Sequence, residues 1–414
     1  MLDYIYSFKM DFKNQSCDLC ELGRKYDTDK TAQRDNVTNY RHAHPYTVFY
    51  NSLFKKHSEK QLNIAEIGIG GSIDMWDDYF VNSTIYGFDC NLELIQKYRE
   101  KYDNETRKKI ILDVLEVGDE NSINECFQRQ NVEFDFIIDD TTHDYNDQCR
   151  IIKNSVKYLK PGGLLIIEDI FKNNNEQIYW NYLLENDLLK EFQTAYFITF
   201  EHEKRCSTGW DNDKILFLVK DGAKPIFHND IKLTIITPSC RPNNLIRVKE
   251  SINFDYVSEW IIVYDEKRVS EIPQLFLNEP DEIRSKIKEY LHTSEGISGN
   301  PQRNYALDRV TNENTYLYYL DDDNIIHKDL YKLFDIVEEK KMYSFDQYNR
   351  INGSKIEVYH IDTAMVLIDF RLCLENRWIL NLYNADGHYL KGCYEANKDK
   401  WIYVNNFLSY YNAV

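Results

Sequence analysis

The chain has 414 residues, and its 50 basic and 68 acidic side chains give a net charge of −18. This length suits two domains or one large one, and hydrophobic residues make up 43% of the sequence. The 14% content of aromatic residues excludes a largely disordered chain. The acidity disfavours a nucleic-acid partner, because no basic stripe offsets repulsion from a polyanion. No run approaches the roughly 18 to 20 apolar residues of a membrane span. The charged N-terminus lacks the apolar core of a signal peptide, so we expect a cytoplasmic protein.

The cysteines indicate a reducing compartment. There are nine of them, an odd number scattered along the chain, which does not suit a disulfide framework. Cys17 and Cys20 form a C-x-x-C pair, but no further pair at zinc spacing follows nearby, and structural zinc needs four ligands. We therefore expect two ordinary thiols in an N-terminal turn.

Two successive segments alternate apolar runs with polar, helix-like stretches. The runs of the first segment are 62–71, 85–90, 134–140, 162–170 and 214–220, and those of the second are 231–239, 259–266, 315–323 and 401–414. Between the segments, Gly222 and Pro225 interrupt the pattern. This alternation predicts an α/β protein with parallel sheets in two domains, residues 1–225 and 226–414.

The first apolar run ends in a glycine-rich turn. Gly68, Gly70 and Gly71 follow the predicted strand, and glycine is needed where a ligand approaches the backbone closely. The next strand ends at Asp89, 18 residues after Gly71. An acidic residue at about this distance can bind both ribose hydroxyls of an adenosine.

This pattern resembles the first motif of class I S-adenosylmethionine-dependent methyltransferases, E-x-G-x-G. Glu66, Gly68, Gly70 and Asp89 lie on the matching positions. Asp119, in the acidic turn after the third strand, matches the position that contacts the adenine. The resemblance implies a Rossmann-like methyltransferase domain with these residues at the cofactor.

Carboxylates also follow the next two predicted strands of this segment. Asp139 and Asp140 precede His143 after the fourth strand, and Glu168 and Asp169 follow the fifth. The carboxyl ends of neighbouring parallel strands meet in the crevice where open α/β sheets bind ligands. Carboxylates converging there would repel each other unless a cation lay between them. The sequence therefore predicts a Mg²⁺ site.

Further motifs narrow the resemblance to the metal-dependent sugar O-methyltransferases that act on macrolide deoxysugars and rhamnosyl groups. Residues 26–30 are similar to their Y-G-T-D-K motif, with Asp27 in place of glycine, and residues 44–46 supply a His-Pro-Tyr motif. The resemblance covers about residues 20–220. We assign Tyr46 of the second motif to the cofactor site.

This second resemblance also implies roles for the carboxylates. Asp140 and Asp169, supported by Glu168 or Asp139, would hold a metal that binds two sugar hydroxyls. His143 would be the general base, since a metal-bound hydroxyl is acidic enough to lose its proton to imidazole.

In the second segment, the strand-like run 315–320 leads directly into Asp321-Asp322-Asp323. An acidic triplet directly after a hydrophobic strand is costly unless it binds a metal or N–H donors. The arrangement resembles the Asp-x-Asp of GT-A glycosyltransferases. This resemblance implies that Asp321 and Asp323 coordinate Mn²⁺ or Mg²⁺ together with the diphosphate of a nucleotide sugar. We expect this nucleotide sugar to be UDP-linked.

Other positions extend this resemblance over about residues 231–414, towards the inverting, glucuronyltransferase-like branch. Asp265 matches the residue that contacts the nucleotide base, and Arg303 the arginine at the diphosphate. An inverting transferase also needs a carboxylate base for the incoming hydroxyl. Asp386 is the preferred candidate, and Glu395 is the second.

The sequence thus predicts a bifunctional enzyme: a sugar O-methyltransferase fused to a nucleotide-sugar glycosyltransferase, with a sugar or glycan as acceptor. A homo-oligomer is compatible with it. One alternative makes the second half an inactive glycan-binding module. Another keeps the methyltransferase but gives it a catechol-type substrate, whose neighbouring hydroxyls also chelate Mg²⁺.

Overall fold

A computed structural model describes residues 5–12, 15–32, 43–105, 109–201, 211–227 and 230–414. Its contacts divide the chain into residues 1–228 and residues 229–414, which we call unit 1 and unit 2. Among the described residues, no helix is both long enough and apolar enough to cross a membrane.

Unit 1 is built on a mixed sheet with helices on both faces. In the described ranges its strands are β1 Tyr6–Asp11, β2 Asn63–Ile67, β3 Thr84–Asp89, β4 Ile110–Val114, β5 Phe134–Asp139, β6 Leu159–Ile167, β7 Phe192–Glu201 and β8 Lys214–Lys220. Its helices are α1 Asp18–Lys25, α2 Tyr46–Phe54, α3 Gly71–Tyr79, α4 Leu92–Glu105, α5 Glu120–Gln130, α6 Tyr145–Ser155 and α7 Gln177–Glu185.

The strand order of this sheet is β1-β7-β8-β6-β5-β2-β3-β4. Strands β2 to β6 are parallel, whereas β8 runs antiparallel to both of its neighbours. The chain order reverses between β2 and β5, and open α/β sheets bind ligands at the carboxyl ends of the strands on either side of such a switch point. The glycine turn after β2 and the carboxylates after β5 both lie there.

Aromatic side chains fill the core on both faces of this sheet. On one face, Phe127 of α5 packs edge-on against Phe134, with ring centroids 5.4 Å apart. On the other, Phe54 of α2 lies 4.6 Å from Phe136 and also contacts Trp76 of α3. Helices that bury such large apolar rings are held firmly against the sheet. The loops at the strand ends are therefore carried by a rigid frame.

Unit 2 has a second mixed sheet. Its strands are β9 Lys232–Ser239, β10 Val257–Asp265, β11 Ile287–His292, β12 Thr315–Tyr319, β13 Met342–Gln347, β14 Val366–Asp369 and β15 Trp401–Ser409. Its α-helices are α8 Leu245–Glu250, α9 Asp281–Lys286, α10 Asn300–Leu307 and α11 Ala385–Glu395. The strand order is β11-β10-β9-β12-β14-β13-β15, with β14 antiparallel to both neighbours. Here the switch point lies between the parallel strands β9 and β12.

The nine apolar runs named above all contain strands, and β4 was implied by the predicted order. The strands β1, β7, β11, β13 and β14 were not predicted. Strand β1 pairs with β7, and β14 pairs with β12 and β13. These strands gain their stability from pairing with distant segments, which local composition does not reveal.

Candidate active site

The turn between β2 and α3 borders a cavity of about 490 Å³ at the switch point of unit 1. Gly68 has a φ of 100°, and a Cβ on it would lie 2.0 Å from the backbone oxygen of Asp140. A side chain is excluded on both counts. Around Gly70, by contrast, a Cβ would meet only the Ser72 hydroxyl, 3.9 Å away. The turn therefore joins the ends of β2 and β5 and leaves its backbone open to a ligand.

Asp89 ends β3 on the wall of the same cavity. Its Oδ2 accepts a hydrogen bond from the Ile69 backbone at 3.0 Å, and its Oδ1 accepts one from the Asn91 backbone at 2.8 Å. These donors fix the carboxylate, and each oxygen keeps a further lone pair for a ligand. A carboxylate held in this way suits the two hydroxyls of a ribose.

Residues 26–30, which we call the cover segment, approach this turn from the N-terminal side. A Cβ on Gly71 would lie 2.2 Å from the Tyr26 carbonyl oxygen, so only glycine allows this approach. Residues 27–29 line the cavity. Asp27 has a φ of 53°, a left-handed conformation that aspartate adopts more readily than most residues. Asp27 can therefore adopt the backbone conformation of this turn, although the position favours glycine.

Beside the cavity lies a cluster formed by Asp140, His143 and Asp169, in which one ligand atom from each residue lies within 4.8 Å of the others. The Nε2 of His143 is 3.5 Å from Asp140 Oδ1 and 3.3 Å from Asp169 Oδ2. Among the described residues, these three form the group of His, Cys, Asp or Glu side chains that could hold a metal ion. The carboxylate oxygens are hard donors of the kind that Mg²⁺ and Mn²⁺ prefer.

Two residues of this cluster have a strained backbone. His143 and Asp169 have φ values of 59° and 56°, which cost roughly 1–3 kcal/mol each in non-glycine residues and concentrate at functional sites. Burial lowers the pKa of His143, but the hydrogen bond with Asp140 and the charge of Asp169 outweigh it and raise the pKa above its ordinary value. Burial raises the pKa of Asp169, as does the neighbouring Asp140 carboxylate. Two carboxylates and an imidazole are therefore concentrated in one largely buried place.

Lys30, at the end of the cover segment, is buried among three carboxylates. Its Nζ lies 2.6 Å from Asp140 Oδ2 and 3.1 Å from Glu66 Oε1, and it also donates to Glu168. Burial opposes the charge on Lys30, but the three carboxylates raise its pKa well above the ordinary value. The same ammonium holds the pKa of Asp140 below its usual range despite burial. Lys30 thus fixes one Asp140 oxygen and leaves Oδ1 facing His143.

Asp169 is held from behind by two aromatic side chains. The Tyr46 hydroxyl donates to Asp169 Oδ1 at 2.8 Å, and the Nε2 of His44 lies 3.4 Å from the same oxygen. The Nδ1 of His44 lies 2.9 Å from Asp213 Oδ1. Burial lowers the pKa of His44, but Asp169 and Asp213 outweigh it and raise the pKa to about 9. Tyr46 therefore orients Asp169 and, unlike the position predicted for it, is not among the residues that line the cavity.

Two residues predicted at the cofactor lie elsewhere. Glu66 is fully buried, accepts a hydrogen bond from Ser72 at 2.8 Å and faces Lys30, so it supports the turn from beneath. Asp119 caps helix α5 by accepting a hydrogen bond from the Asn121 backbone at 2.9 Å, and it does not line the cavity. Glu116 and neighbouring residues reach the cavity instead, because the chain turns before Asp119.

Two residues predicted at the metal are also turned away from the cluster. Asp139 is 1% exposed and accepts a hydrogen bond from Thr141 at 2.7 Å, and burial raises its pKa to about 7. Alternate residues of a strand point to opposite faces, so Asp139 and Asp140 cannot both face the site. Glu168 accepts hydrogen bonds from Lys30 and Tyr50 and neutralises the lysine.

Unit 2 has a separate cavity of about 480 Å³ at the carboxyl end of β12. Arg303, Asp321, Asp323, Trp378 and Asp386 all contribute to its wall. Arg303 donates to Asp321, and its guanidinium lies 4.6 Å from the centre of the Trp378 ring. Burial raises the pKa of Asp386, which makes its carboxylate a better base. The structure thus brings four of the predicted residues of this half to one cavity.

The acidic triplet after β12 divides into separate roles. Asp322 is 2% exposed and accepts hydrogen bonds from the backbone of Cys240 and Arg241, both at 2.8 Å, which ties β12 to the end of β9. Asp323 pairs with the Arg241 guanidinium at 2.8 Å. Among the described residues, Asp321 and Asp323 do not form a three-ligand group with a further side chain.

The other two predicted residues of unit 2 do not line this cavity. Asp265 accepts a hydrogen bond from the Lys267 backbone at 3.1 Å at the end of β10. Glu395 lies at the last position of α11, exposed, and pairs with Lys398 at 2.5 Å. Glu395 therefore lies on the exposed side of α11, away from the residues that line the cavity.

Comparison with known proteins concerns mainly unit 1. Residues 59–217 match the model of a protein family described as a methyltransferase domain. Unit 1 therefore carries a methyltransferase domain with a Rossmann-like α/β fold.

Two curated relatives are O-methyltransferases. Demethylmacrocin O-methyltransferase of Streptomyces fradiae is 28% identical over 164 residues, which cover 37% of this chain and 36% of the relative. Mycinamicin VI 2''-O-methyltransferase of Micromonospora griseorubida is 29% identical over 166 residues, with coverage of 37% and 36%. The match thus spans about a third of the length of these relatives. A solved methyltransferase of the mycinamycin biosynthetic pathway, in complex with Mg and SAH, is 20% identical over 51% of this chain and 58% of that chain, with a TM-score of 0.36.

Sequence reasoning missed the residues that hold the site from outside the strand ends. Lys30 was quoted within its motif but received no role, and neither did His44 or Asp213. Nothing near Lys30 in the sequence points to its role, because Asp140 and Glu168 lie 110 and 138 residues further along the chain. No local signal identifies Asp213, because its contact with His44 depends on the packing of α2 against the sheet.

Proposed function

We propose that unit 1 is an S-adenosylmethionine-dependent O-methyltransferase that acts on a sugar hydroxyl with the help of Mg²⁺. The position of Asp140 carries the proposal, since this residue belongs both to the cavity wall and to the cluster with His143 and Asp169. An acceptor oxygen at the cluster would lie beside a methyl donor in the cavity. That proximity is what in-line methyl transfer requires.

The residues of the cluster take distinct parts in this proposal. Asp140 and Asp169 would hold the cation, which when bound lowers the pKa of an acceptor hydroxyl. His143 accepts the hydroxyl proton at Nε2. We favour it over His44 because the His143 side chain is 23% exposed and can meet a substrate, whereas that of His44 is 4% exposed. Lys30 and Tyr46 orient the two carboxylates.

The donor assignment can be tested with S-adenosylhomocysteine. We expect Asp89→Ala to weaken its binding by about 10- to 100-fold, since hydrogen bonds to a charged group are worth roughly 1.5–3 kcal/mol. Asp119→Ala is the matched control: it should leave affinity unchanged and lower stability by about 1 kcal/mol through loss of the α5 cap. Isothermal titration calorimetry and thermal unfolding measure the two effects. Equal affinities for Asp89→Ala and wild type would remove the ribose assignment.

The acceptor class is tested with a panel of substrates. We expect methyl transfer to deoxyhexosyl or rhamnosyl glycosides, lost in chelator and restored by Mg²⁺. Metal dependence alone does not separate sugars from catechols, because both present neighbouring hydroxyls. The panel therefore includes catechols, and turnover of catechols without turnover of any glycoside would replace the sugar assignment by the catechol alternative.

For unit 2 we propose a GT-A nucleotide-sugar glycosyltransferase. Support comes from the cavity at the carboxyl end of β12, whose wall includes Asp321, Asp323 and Arg303. Arg303 pairs with Asp321, and Arg241, from the end of β9, pairs with Asp323. Asp321 and Asp323 are 40% and 24% exposed, so they can also meet a cation that accompanies a diphosphate. Asp386 would take the proton of the acceptor hydroxyl.

This second proposal predicts Mn²⁺-dependent hydrolysis of a UDP-sugar by the whole chain when no acceptor is present. Asp323→Asn should reduce the rate by about 100-fold or more, because cation contacts contribute several kcal/mol at the leaving group. Glu395→Gln is the control and should leave the rate unchanged, since Glu395 lies outside the cavity. Release of uridine diphosphate, measured by chromatography, reports the reaction. If no nucleotide sugar is bound or turned over, unit 2 is instead a glycan-binding module.

A further inference from the structure

The Cys17 and Cys20 side chains are in direct contact at the start of helix α1. Their Sγ atoms are 3.1 Å apart, with Cys17 half-buried and Cys20 buried. A disulfide has an S–S length of about 2.05 Å, so a movement of about 1 Å joins them. The pair therefore has the geometry of a dithiol that can close.

Such a pair can also bind a metal ion, but the surrounding residues do not supply the further ligands that a metal ion needs. Structural zinc needs four ligands, and within the described ranges no group of three or more ligating side chains includes either cysteine. The hydrogen bond from Cys17 lowers the pKa of Cys20 to about 7 and raises the pKa of Cys17. One sulfur of the pair is thus available as a thiolate near neutral pH, as C-x-x-C thiols at helix N-termini often are.

Both thiols bind the same residue, Thr47 at the start of α2. Cys20 Sγ lies 3.1 Å from the Thr47 hydroxyl, and Cys17 Sγ lies 3.5 Å from its carbonyl oxygen. The Thr47 backbone N–H in turn donates to the Lys30 carbonyl oxygen at 3.0 Å. The far end of α1 is also linked to the cover segment, because the Thr28 backbone donates to the Gly23 carbonyl oxygen at 3.1 Å. Thr47 therefore links the thiol pair to Lys30, the lysine that orients Asp140.

From this arrangement we infer that Cys17 and Cys20 form a reversible disulfide that loosens the cover segment and weakens binding in the methyl-donor cavity. The oxidant is a low-molecular-weight disulfide such as oxidised glutathione. The Cys17 sulfur, the more exposed of the two, gives its proton to the Cys20 thiolate 3.1 Å away, replaces one glutathione in a mixed disulfide and releases the other as a thiol. The Cys20 sulfur then loses this proton, attacks Cys17, breaks the mixed disulfide and releases the second glutathione. Two S–H bonds are exchanged for one S–S bond, and neither sulfur can then donate to Thr47.

Mass spectrometry of the full chain in glutathione buffers tests the chemistry. Trypsin releases residues 14–24, a peptide that contains Cys17 and Cys20 and no other cysteine. After equilibration in oxidised glutathione and acid quenching with N-ethylmaleimide, we expect this peptide to lose two hydrogens, and dithiothreitol to restore both thiols. A peptide that keeps both thiols, or that carries only bound glutathione, would overturn the inference.

The coupling to the cavity rests on the proposed function of unit 1 and is read separately, by calorimetry with S-adenosylhomocysteine. Oxidised wild type should bind about fivefold more weakly than reduced wild type, because a thiol hydrogen bond to Thr47 is lost. Cys17→Ser, or Cys17→Ala if the serine variant does not fold, should bind equally in both buffers. Either variant retains Cys90, so it also reports any glutathione attached at the cavity wall.

The outcomes separate the two ideas. A disulfide in peptide 14–24 with unchanged affinity would overturn the coupling. If neither redox form binds S-adenosylhomocysteine, the proposed function of unit 1 fails, and the peptide mass still decides the thiol chemistry.

Discussion

Asp169→Asn should lower the rate of methyl transfer by about a thousandfold, since a lost metal contact removes several kcal/mol of stabilisation and each ~1.4 kcal/mol is a factor of ten. The substitution keeps the shape of the side chain, and asparagine also tolerates the left-handed φ of 56° at this position. Its neutral amide cannot balance a cation. We therefore expect the Mg²⁺ concentration needed for half-maximal activity to rise as well, measured by transfer of labelled methyl groups to a glycoside acceptor.

Asp139→Asn is the matched control for this experiment. Asp139 is a buried carboxylate one residue from Asp140, but its partner is the Thr141 hydroxyl and not the cluster. Burial raises its pKa to about 7, so a large share of it is neutral in the folded protein near neutral pH, and an amide replaces it with little loss. The rate should stay within about threefold of wild type. If both variants lose activity equally, or if Asp169→Asn keeps its Mg²⁺ dependence, the proposed metal site is wrong.

Lys30→Met should reduce the free energy of unfolding of unit 1 by about 3–5 kcal/mol, because it leaves buried carboxylates without their counter-ion. Methionine preserves most of the buried length, so the loss reports charge more than volume. The difference from wild type should shrink as the pH falls, starting above the ordinary carboxyl range, because burial raises the pKa of Glu66 and Glu168, and loss of the Lys30 ammonium also removes the charge that holds the pKa of Asp140 down. Urea unfolding followed by circular dichroism, with a transition fitted for each unit, measures the effect.

Lys160→Met provides the comparison for a lysine at the surface. Lys160 also forms an ion pair, with Asp135 at 2.8 Å, but 39% of its side chain is exposed. Exposed pairs contribute about 0–1 kcal/mol, so the loss should be small. If both variants lost the same free energy of unfolding, the ion pairs of Lys30 would contribute no more than an exposed pair. The proposal that Lys30 orients Asp140 would then be wrong.

Much of unit 1 could be predicted because its signals are local. The glycines that follow β2, the acidic residue that ends β3 and the carboxylates after β5 and β6 are all adjacent to apolar strands in the sequence. Parallel strands bring their carboxyl ends to one edge of a sheet, so adjacency to a strand end was sufficient to place Gly68, Asp89, Asp140 and Asp169 near one crevice. The same reasoning placed Asp321 at the end of β12.

The errors share a different origin. Asp119 was assigned to the cofactor by its match to the position that contacts the adenine, but the chain turns earlier and Asp119 caps α5. Glu395 was the second candidate base, but it lies on the exposed side of α11. In each case the direction of the side chain was decided by a helix whose start and rotation the sequence does not specify.

By itself, the sequence determined the two α/β segments, their glycine and acidic strand ends, and hence the two crevices where ligands are expected, because strand composition and turn residues are read over a few neighbouring positions. Only the tertiary structure decided which carboxylates face a ligand. Lys30 meets Asp140 and Glu168 from 110 and 138 residues away, and this contact turns Glu168 towards the lysine and Asp140 towards His143. Such a choice depends on the summed field of distant charges in a buried space, and no pattern of adjacent residues contains it.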